Sequence, residues 1–255
     1  MVIRLLPLRA LAALTAVPLA LAACSSPASR TASAPSSEPG TVASDSVTPM
    51  AGPLQVPAAP APPFCGDVSA LSTRDKLAQL LMVGVKNGAD ARAVVGNYHV
   101  GGIMIGSWTD LSMLTDGTLN DIANIGPLPL AVSVDEEGGR VSRLSSLIGA
   151  APSARTLAQT QTPDQVYELA LARGRQMRGL GITIDFAPVV DVSNQGADTV
   201  IGDRSFSNDP ATVTASAGAF ARGLRGAGVL PVLKHFPGHG HGSGDSHTAL
   251  SLIHI

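Results

Sequence analysis

From about residue 70 onward, short apolar runs alternate with stretches that carry helix signals, and this alternation leaves few folds open. Residues 80–85, 101–106, 130–135, 182–192 and 229–236 each read as a strand, being short, apolar and bounded by polar or glycine positions. Runs of this kind fit strands buried on both faces of a parallel sheet. Between them, Thr162-Pro163-Asp164-Gln165 is a capping box with proline at the first helical position. Val166, Leu169, Ala170, Met177 and Leu180 then recur at helical spacing until Gly181 stops the run. Asp209-Pro210 opens a second helix, with Val213, Ala217, Phe220 and Leu224 on one face and an end at Gly226 and Gly228.

Repeated strand–helix units predict an α/β fold with a parallel sheet and right-handed crossovers. The expectation is a (β/α)8 barrel of TIM type, with an open doubly wound sheet as the alternative. No Gly-x-Gly-x-x-Gly follows the first strand, which argues against a dinucleotide site. A barrel needs eight strands and typically about 250 residues. Here about five strands are legible in about 190 residues, so the expected barrel is incomplete and holds about its first five strands.

The N-terminal region reads differently. Arg4 and Arg9 precede or flank an apolar run that ends in Leu21-Ala22-Ala23-Cys24. A basic start, a short apolar stretch and small residues before a cut site make a secretion signal. Its ending resembles the bacterial lipobox, in which the cysteine becomes an acylated N-terminus. Residues 1–23 are thus expected to be a lipoprotein signal peptide and Cys24 the lipidation site, anchoring the chain to the extracytoplasmic face of the cell membrane. Residues 24–63 are rich in Ser, Ala, Pro and Thr, with charges only at Arg30, Glu38 and Asp45. Such a composition reads as a disordered linker. The domain proper is expected over 64–249. Its apolar content suits a sizeable core, at 45% hydrophobic residues for the whole chain, and the net charge of −2 offers no argument for nucleic acid. Cys65 is then the one remaining cysteine, either a buried thiol or half of a bridge. The last residues, 250–255, match one reading frame of a sequencing adapter and are expected to be an assembly artefact.

Three polar constellations fall at strand ends, where parallel α/β folds place their chemistry. Asp135-Glu136-Glu137-Gly138-Gly139-Arg140-Val141-Ser142-Arg143 follows the third strand, and Asp135 is expected to point into the barrel mouth. Without further context it reads equally as an acidic turn with an arginine partner. Phe186-Ala187-Pro188-Val189-Val190-Asp191-Val192 follows the fourth strand and leads to Gly202-Asp203-Arg204-Ser205-Phe206. Arg204 offers a fixed fork of donors for hydroxyls or a carbonyl; its plainer reading is a salt bridge to Asp203 or Asp191. The fifth strand ends in Lys234-His235-Phe236-Pro237-Gly238-His239-Gly240, soon followed by Asp245-Ser246-His247, so that four of the six histidines sit together. Asp245 can orient the His247 imidazole, a side chain suited to both giving and taking a proton near neutrality.

Together these four motifs resemble glycoside hydrolase family 3, and most closely its bacterial β-N-acetylglucosaminidases, over about residues 70–248. The resemblance implies a retaining exo-β-N-acetylglucosaminidase acting on peptidoglycan-derived glycans. Asp135, Arg143, Arg204, Lys234 and His235 would bind the terminal sugar, and His247 would be the acid/base, tuned by Asp245. It implies no cofactor and no metal, a monomer, and N-acetylglucosamine-containing glycans or muropeptides as ligands. The family's nucleophile is an aspartate on a strand that would lie beyond Ala249; this chain has none at that position, and the 255 residues as written are expected to be insoluble or inactive. Three other readings remain open. Phosphate in place of water would make a phosphorylase of the same substrates. His235, His239, His241, Asp245 and His247 have the side-chain types of a metal hydrolase. A tethered muropeptide-binding lipoprotein would use the same contacts without catalysis.

Overall fold

The computed structural model describes residues 68–242 and 244–248. The signal segment, Cys24, the linker, Cys65 and 250–255 lie outside them. Seven strands and seven α-helices occur among the described residues. The strands are β1 (Met82–Val85), β2 (Gly102–Ile105), β3 (Ala131–Val134), β4 (Glu136–Gly138), β5 (Val141–Ser142), β6 (Ile184–Asp185) and β7 (Leu230–Pro231). The helices are α1 (Thr73–Ala78), α2 (Gly88–Tyr98), α3 (Thr118–Ile122), α4 (Ser145–Ile148), α5 (Ala154–Thr160), α6 (Pro163–Gly179) and α7 (Pro210–Gly226).

The main sheet runs β1-β2-β3-β6-β7, parallel at every pairing. Each later strand is laid beside the one before it, with no point at which the order reverses. A doubly wound sheet has such a reversal, so this is barrel order. Five strands make an arc, and β1 and β7 are its two edges among the described residues. Large apolar side chains stand exposed at both edges, with Leu80 at 81% and Phe236 at 97%.

The five predicted strands are all present, but the last two are short. The β6 ladder ends before Pro188, which has no N–H to donate, and pairing resumes only as a bridge between Val189 and Lys234. The stretch after Asp135 contains an unpredicted element. Residues 136–142 form a two-stranded antiparallel ribbon, β4–β5, standing on the end of β3.

The two long helices follow their local signals closely. Thr162 caps α6 with both hydrogen bonds of a capping box, Gln165 N to Thr162 Oγ1 and Thr162 N to Gln165 Oε1. Gly181, at φ +85°, turns the chain out of the helix toward β6. Asp209 caps α7 by accepting from Ala211 N and Thr212 N. The two helices meet almost backbone to backbone. A Cβ at Gly223 would sit 2.5 Å from the Tyr167 carbonyl oxygen and 2.7 Å from Ala170 Cβ.

The sheet's two faces differ. Val85, Ile103, Ile105, Val132 and Val134 point to the helix layer and are at most 2% exposed. They share one core with Val166, Met177, Phe220 and Leu224 of α6 and α7. Burying each such side chain contributes about 1.5–3 kcal/mol. The alternate register row, Gly84, Met104, Ser133, Ile184 and Leu230, faces the inside of the arc. That inner face carries the polar groups at its carboxyl end.

Candidate active site

Asp135 with Arg143, Arg204, Lys234 with His235, and His247 come from four stretches of sequence, and all six line one cavity of about 360 Å³ at the carboxyl ends of the strands. Met104 and Phe186 contribute apolar wall, and Glu137 joins the polar set. Asp135 follows β3 directly, and its carboxylate enters the cavity as expected.

Glu137 is the hub. Arg204 grips it with two hydrogen bonds, Nε to Oε2 at 2.8 Å and Nη2 to Oε1 at 2.9 Å. Such a fork-to-carboxylate pair fixes both planes. Lys234 Nζ lies 2.6 Å from Glu137 Oε1 and 2.5 Å from Asp135 Oδ1. Burial alone would lower the Arg204 pKa, but the hydrogen bonds and charge of Glu137 outweigh it and hold the guanidinium above its ordinary value. The salt-bridge partner expected for Arg204 was Asp203 or Asp191, and both expectations are corrected. Asp203 pairs with Arg140 at 2.8 Å, and Asp191 pairs with His235.

His235 Nδ1 lies 2.6 Å from Asp191 Oδ2, and the His239 backbone N–H donates to Asp191 Oδ1 at 2.5 Å. Burial opposes ionisation of Asp191, yet these donors keep its carboxyl below the usual range. With Nδ1 donating to that carboxylate, His235 Nε2 is the acceptor for the Arg204 guanidinium 3.3 Å away, which can only donate. One chain of contacts therefore runs from Asp191 through His235, Arg204, Glu137 and Lys234 to Asp135. It interleaves cations and carboxylates, which suits a neutral ligand rich in hydroxyl and amide groups.

His247 stands at the cavity's edge with its side chain 86% exposed. Its Nδ1 meets Asp245 Oδ1 at 2.7 Å, and its backbone N–H donates to the same oxygen at 2.9 Å. These contacts keep the Asp245 carboxyl below its usual range. As acceptor, Asp245 fixes the proton on Nδ1 and leaves Nε2 to face a ligand. The predicted dyad is therefore formed.

The scaffold beneath is built from groups the sequence did not single out. Glu136 is fully buried and accepts from Ser142 Oγ, Arg143 N, Leu144 N and Arg173 Nη2, the last at 2.6 Å. This clamps the ribbon that presents Glu137 and Arg143. Arg140 donates to Thr199, Val200 and Ile201 carbonyls, and Arg155 to those of Ser193, Gln195 and Gly202. Together they hold the loop that delivers Arg204. Behind Glu136, Asp185 accepts from the Glu136 backbone N–H, and burial pushes its carboxyl well above the usual range.

His239 and His241 do not enter this cavity. The His239 ring is buried edge-on to His235 at 5.8 Å, and His241 lines a neighbouring cavity of about 460 Å³. Among the described residues, no three His, Cys, Asp or Glu side chains converge as a metal ion would require.

Comparison with known proteins supplies independent context. Residues 72–255 match the glycosyl hydrolase family 3 N-terminal domain. The chain is 68% identical over 214 residues to the beta-hexosaminidase LpqI of Mycobacterium tuberculosis, covering 82% of this chain and 55% of that protein. A beta-hexosaminidase of Methylococcus capsulatus is 37% identical over 175 residues, covering 66% and 51%. Among solved structures, a family 3 glycosyl hydrolase of Mycobacterium smegmatis superposes with TM-score 0.70 at 76% identity, over 71% of this chain and 55% of that one. A family 3 β-N-acetylglucosaminidase of a Paenibacillus species does so with TM-score 0.67 at 33% identity, over 72% and 36%. The chain thus spans about half the length of the curated relatives it matches.

Proposed function

The chain belongs to glycosyl hydrolase family 3, and from that premise we propose that its cavity is the sugar site of a retaining exo-β-N-acetylglucosaminidase. One observation carries the reading: Asp135 with Arg143, Arg204, and Lys234 with His235, from three stretches of sequence, line a single cavity with the Asp245–His247 pair at its edge. In this reading Asp135, Lys234, His235, Arg204 and Arg143 hold the hydroxyls and acetamido group of the terminal sugar. His247 starts the cycle with both ring nitrogens protonated, Nδ1–H on Asp245, and gives its Nε2 proton to the glycosidic oxygen as the bond to the anomeric carbon breaks, leaving the neutral Nδ1–H imidazole. In the second half of the cycle it takes a proton from the attacking water. Asp245 keeps the imidazole in the required tautomer. The attacking aspartate of the first half is expected on a strand beyond Ala249, so the residues described here supply binding and proton transfer.

The proposed substrates are peptidoglycan-derived glycans with a terminal N-acetylglucosamine. Support comes from the Leu21-Ala22-Ala23-Cys24 sequence and the Ser/Ala/Pro-rich stretch after it, which would tether the site beside the wall. Labelled palmitate incorporated by the wild type and lost in Cys24→Ala tests the anchor.

The test of the enzyme reading begins by reading the gene past the codon for Ala249 and purifying the protein it encodes. A later strand ending in aspartate is expected, with release of β-configured N-acetylglucosamine from an aryl β-glycoside. His247→Ala should lower turnover by about 10²–10⁴-fold and leave binding of the free sugar intact. A sugar phosphate formed only with phosphate present would make the protein a phosphorylase. Tight sugar binding without turnover, in a chain whose reading frame stops after Ile255, would make it a non-catalytic binder.

A further inference from the structure

Trp108 is the one tryptophan of the chain. It sits in the turn after β2 and is 61% exposed. The turn is closed on itself and pinned to the end of β1 just after Trp108. Thr109 Oγ1 donates to the Val85 carbonyl at 2.6 Å and accepts from Gly106 N at 3.0 Å, and Asp110 N donates to the Lys86 carbonyl at 2.8 Å. An exposed indole on so fixed a turn is a placed group.

Its orientation follows from two glycines. A Cβ added to Gly106 would lie 2.5, 2.6 and 2.6 Å from three consecutive ring atoms, Cζ2, Cε2 and Cη2. Near-equal distances to three neighbouring ring atoms put that Cβ over the ring's face, not against its edge. A Cβ on Gly84 would lie 2.9 Å from the same Cζ2. Gly84 pairs with Met104 in the register and shares its inner face, and Met104 lines the sugar cavity. The indole therefore lies flat on backbone at the carboxyl ends of β1 and β2, with its second face turned away from that backbone, toward the inside of the arc. Two missing side chains make the seat, and any residue larger than glycine at 106 would drive into the ring.

Met104 shares its cavity with the Lys234, His235 and Arg204 groups that the proposed function gives to the terminal sugar. Arg143 lines both that cavity and a smaller one bounded by Gly106, Ser107 and Thr109. A flat, backed aromatic face on the strand ends next to a polar pocket is suited to the C–H face of a pyranose, which meets the negative ring face favourably. We propose that Trp108 is the platform for the leaving-group sugar, so that the site favours β-linked N-acetylglucosamine whose partner is itself a pyranose. This rests on the sugar-site reading above and adds the residue that selects the second unit.

Calorimetric titration with N-acetylglucosamine and with N,N′-diacetylchitobiose tests it, alongside the part of the tryptophan emission that Trp108→Ala removes. The disaccharide should bind about fivefold more tightly than the monosaccharide and shift the emission. Trp108→Ala should remove that advantage and leave monosaccharide affinity unchanged, which also shows that the variant is folded. Gly106→Ala, which keeps the indole but unseats it, should have the same effect, and Trp108→Phe should retain part of the advantage. Persistence of the advantage in Trp108→Ala, or equal loss for both sugars, overturns the platform and leaves the sugar site standing. If neither sugar binds the wild type, the sugar-site reading fails and the platform fails with it.

Discussion

Glu136 and Glu137 are neighbours in the chain and opposites in the fold. Glu136 turns toward the helix layer, where no solvent reaches it, and accepts from two backbone N–H groups, a serine and Arg173. Glu137 turns into the cavity, where it is held by Arg204 and Lys234. Strand geometry sends successive side chains to opposite faces, so one acidic dipeptide supplies both a structural clamp and a cavity-facing hub. The same residue type does different work because its partners differ, and those partners lie on elements far away in sequence.

That contrast fixes what each substitution should do. The largest effect belongs to Glu136→Ala. It leaves the Arg173 guanidinium buried without its carboxylate and the N–H groups of Arg143 and Leu144, just after the ribbon, without an acceptor, and breaking a buried pair from one side costs about 3–5 kcal/mol. Denaturant unfolding should show a loss of that order, and a loss below about 1 kcal/mol would mean that the ribbon is held by something else. Glu137→Gln should invert the pattern. Stability should fall by less than in Glu136→Ala, because the amide oxygen still accepts from one cation although its NH2 now faces a donor, while affinity for N-acetylglucosamine falls at least about tenfold as the charge that aligns Arg204 and Lys234 is lost.

Two aspartates extend the contrast to pH. Asp191, on the cavity side, has its carboxyl lowered in the folded protein. Its stabilising contribution is therefore present above the unfolded value of about 3.9 and disappears as pH falls through the folded value. Asp191→Asn should be less stable than the wild type at neutral pH, and the two should converge in strong acid. Asp185, behind Glu136, has its carboxyl raised. Folding then favours the protonated form, so this group lowers stability as pH rises above about 4 toward the folded value. Asp185→Asn should match the wild type near pH 4 and exceed it at neutral pH. Unfolding curves at the two pH values check both signs, and parallel behaviour of the two variants would break the comparison.

The sequence made some of this legible and not the rest, for physical reasons. The ends of α6 and α7 are written locally, in Thr162 with Gln165, in Asp209 with Pro210, and in Gly181, so they could be read directly. The five strands could be found, because runs buried on both faces leave an apolar record, and Asp135, Lys234 and His235 could be placed at their ends. The β4–β5 ribbon was hidden because its two strands are only two or three residues long and resemble a glycine turn. The partner of Arg204 was misjudged because Asp203 is adjacent in sequence, whereas Glu137, 67 residues away, reaches it only through the curvature of the sheet. Trp108 carries no motif. Its placement depends on glycines in two strands, and only their three-dimensional proximity gives it meaning.

The central claim is that the Asp135–Glu137–Arg204–Lys234–His235 network is a site for a terminal N-acetylglucosamine. The most direct test is calorimetric titration of the purified protein with that sugar, run in parallel on the wild type and on Glu137→Gln. The account predicts one site per chain in the wild type and at least a tenfold weaker one in the variant, at a temperature where both are folded. Equal affinity in the two proteins, or no binding by the folded wild type, would contradict it.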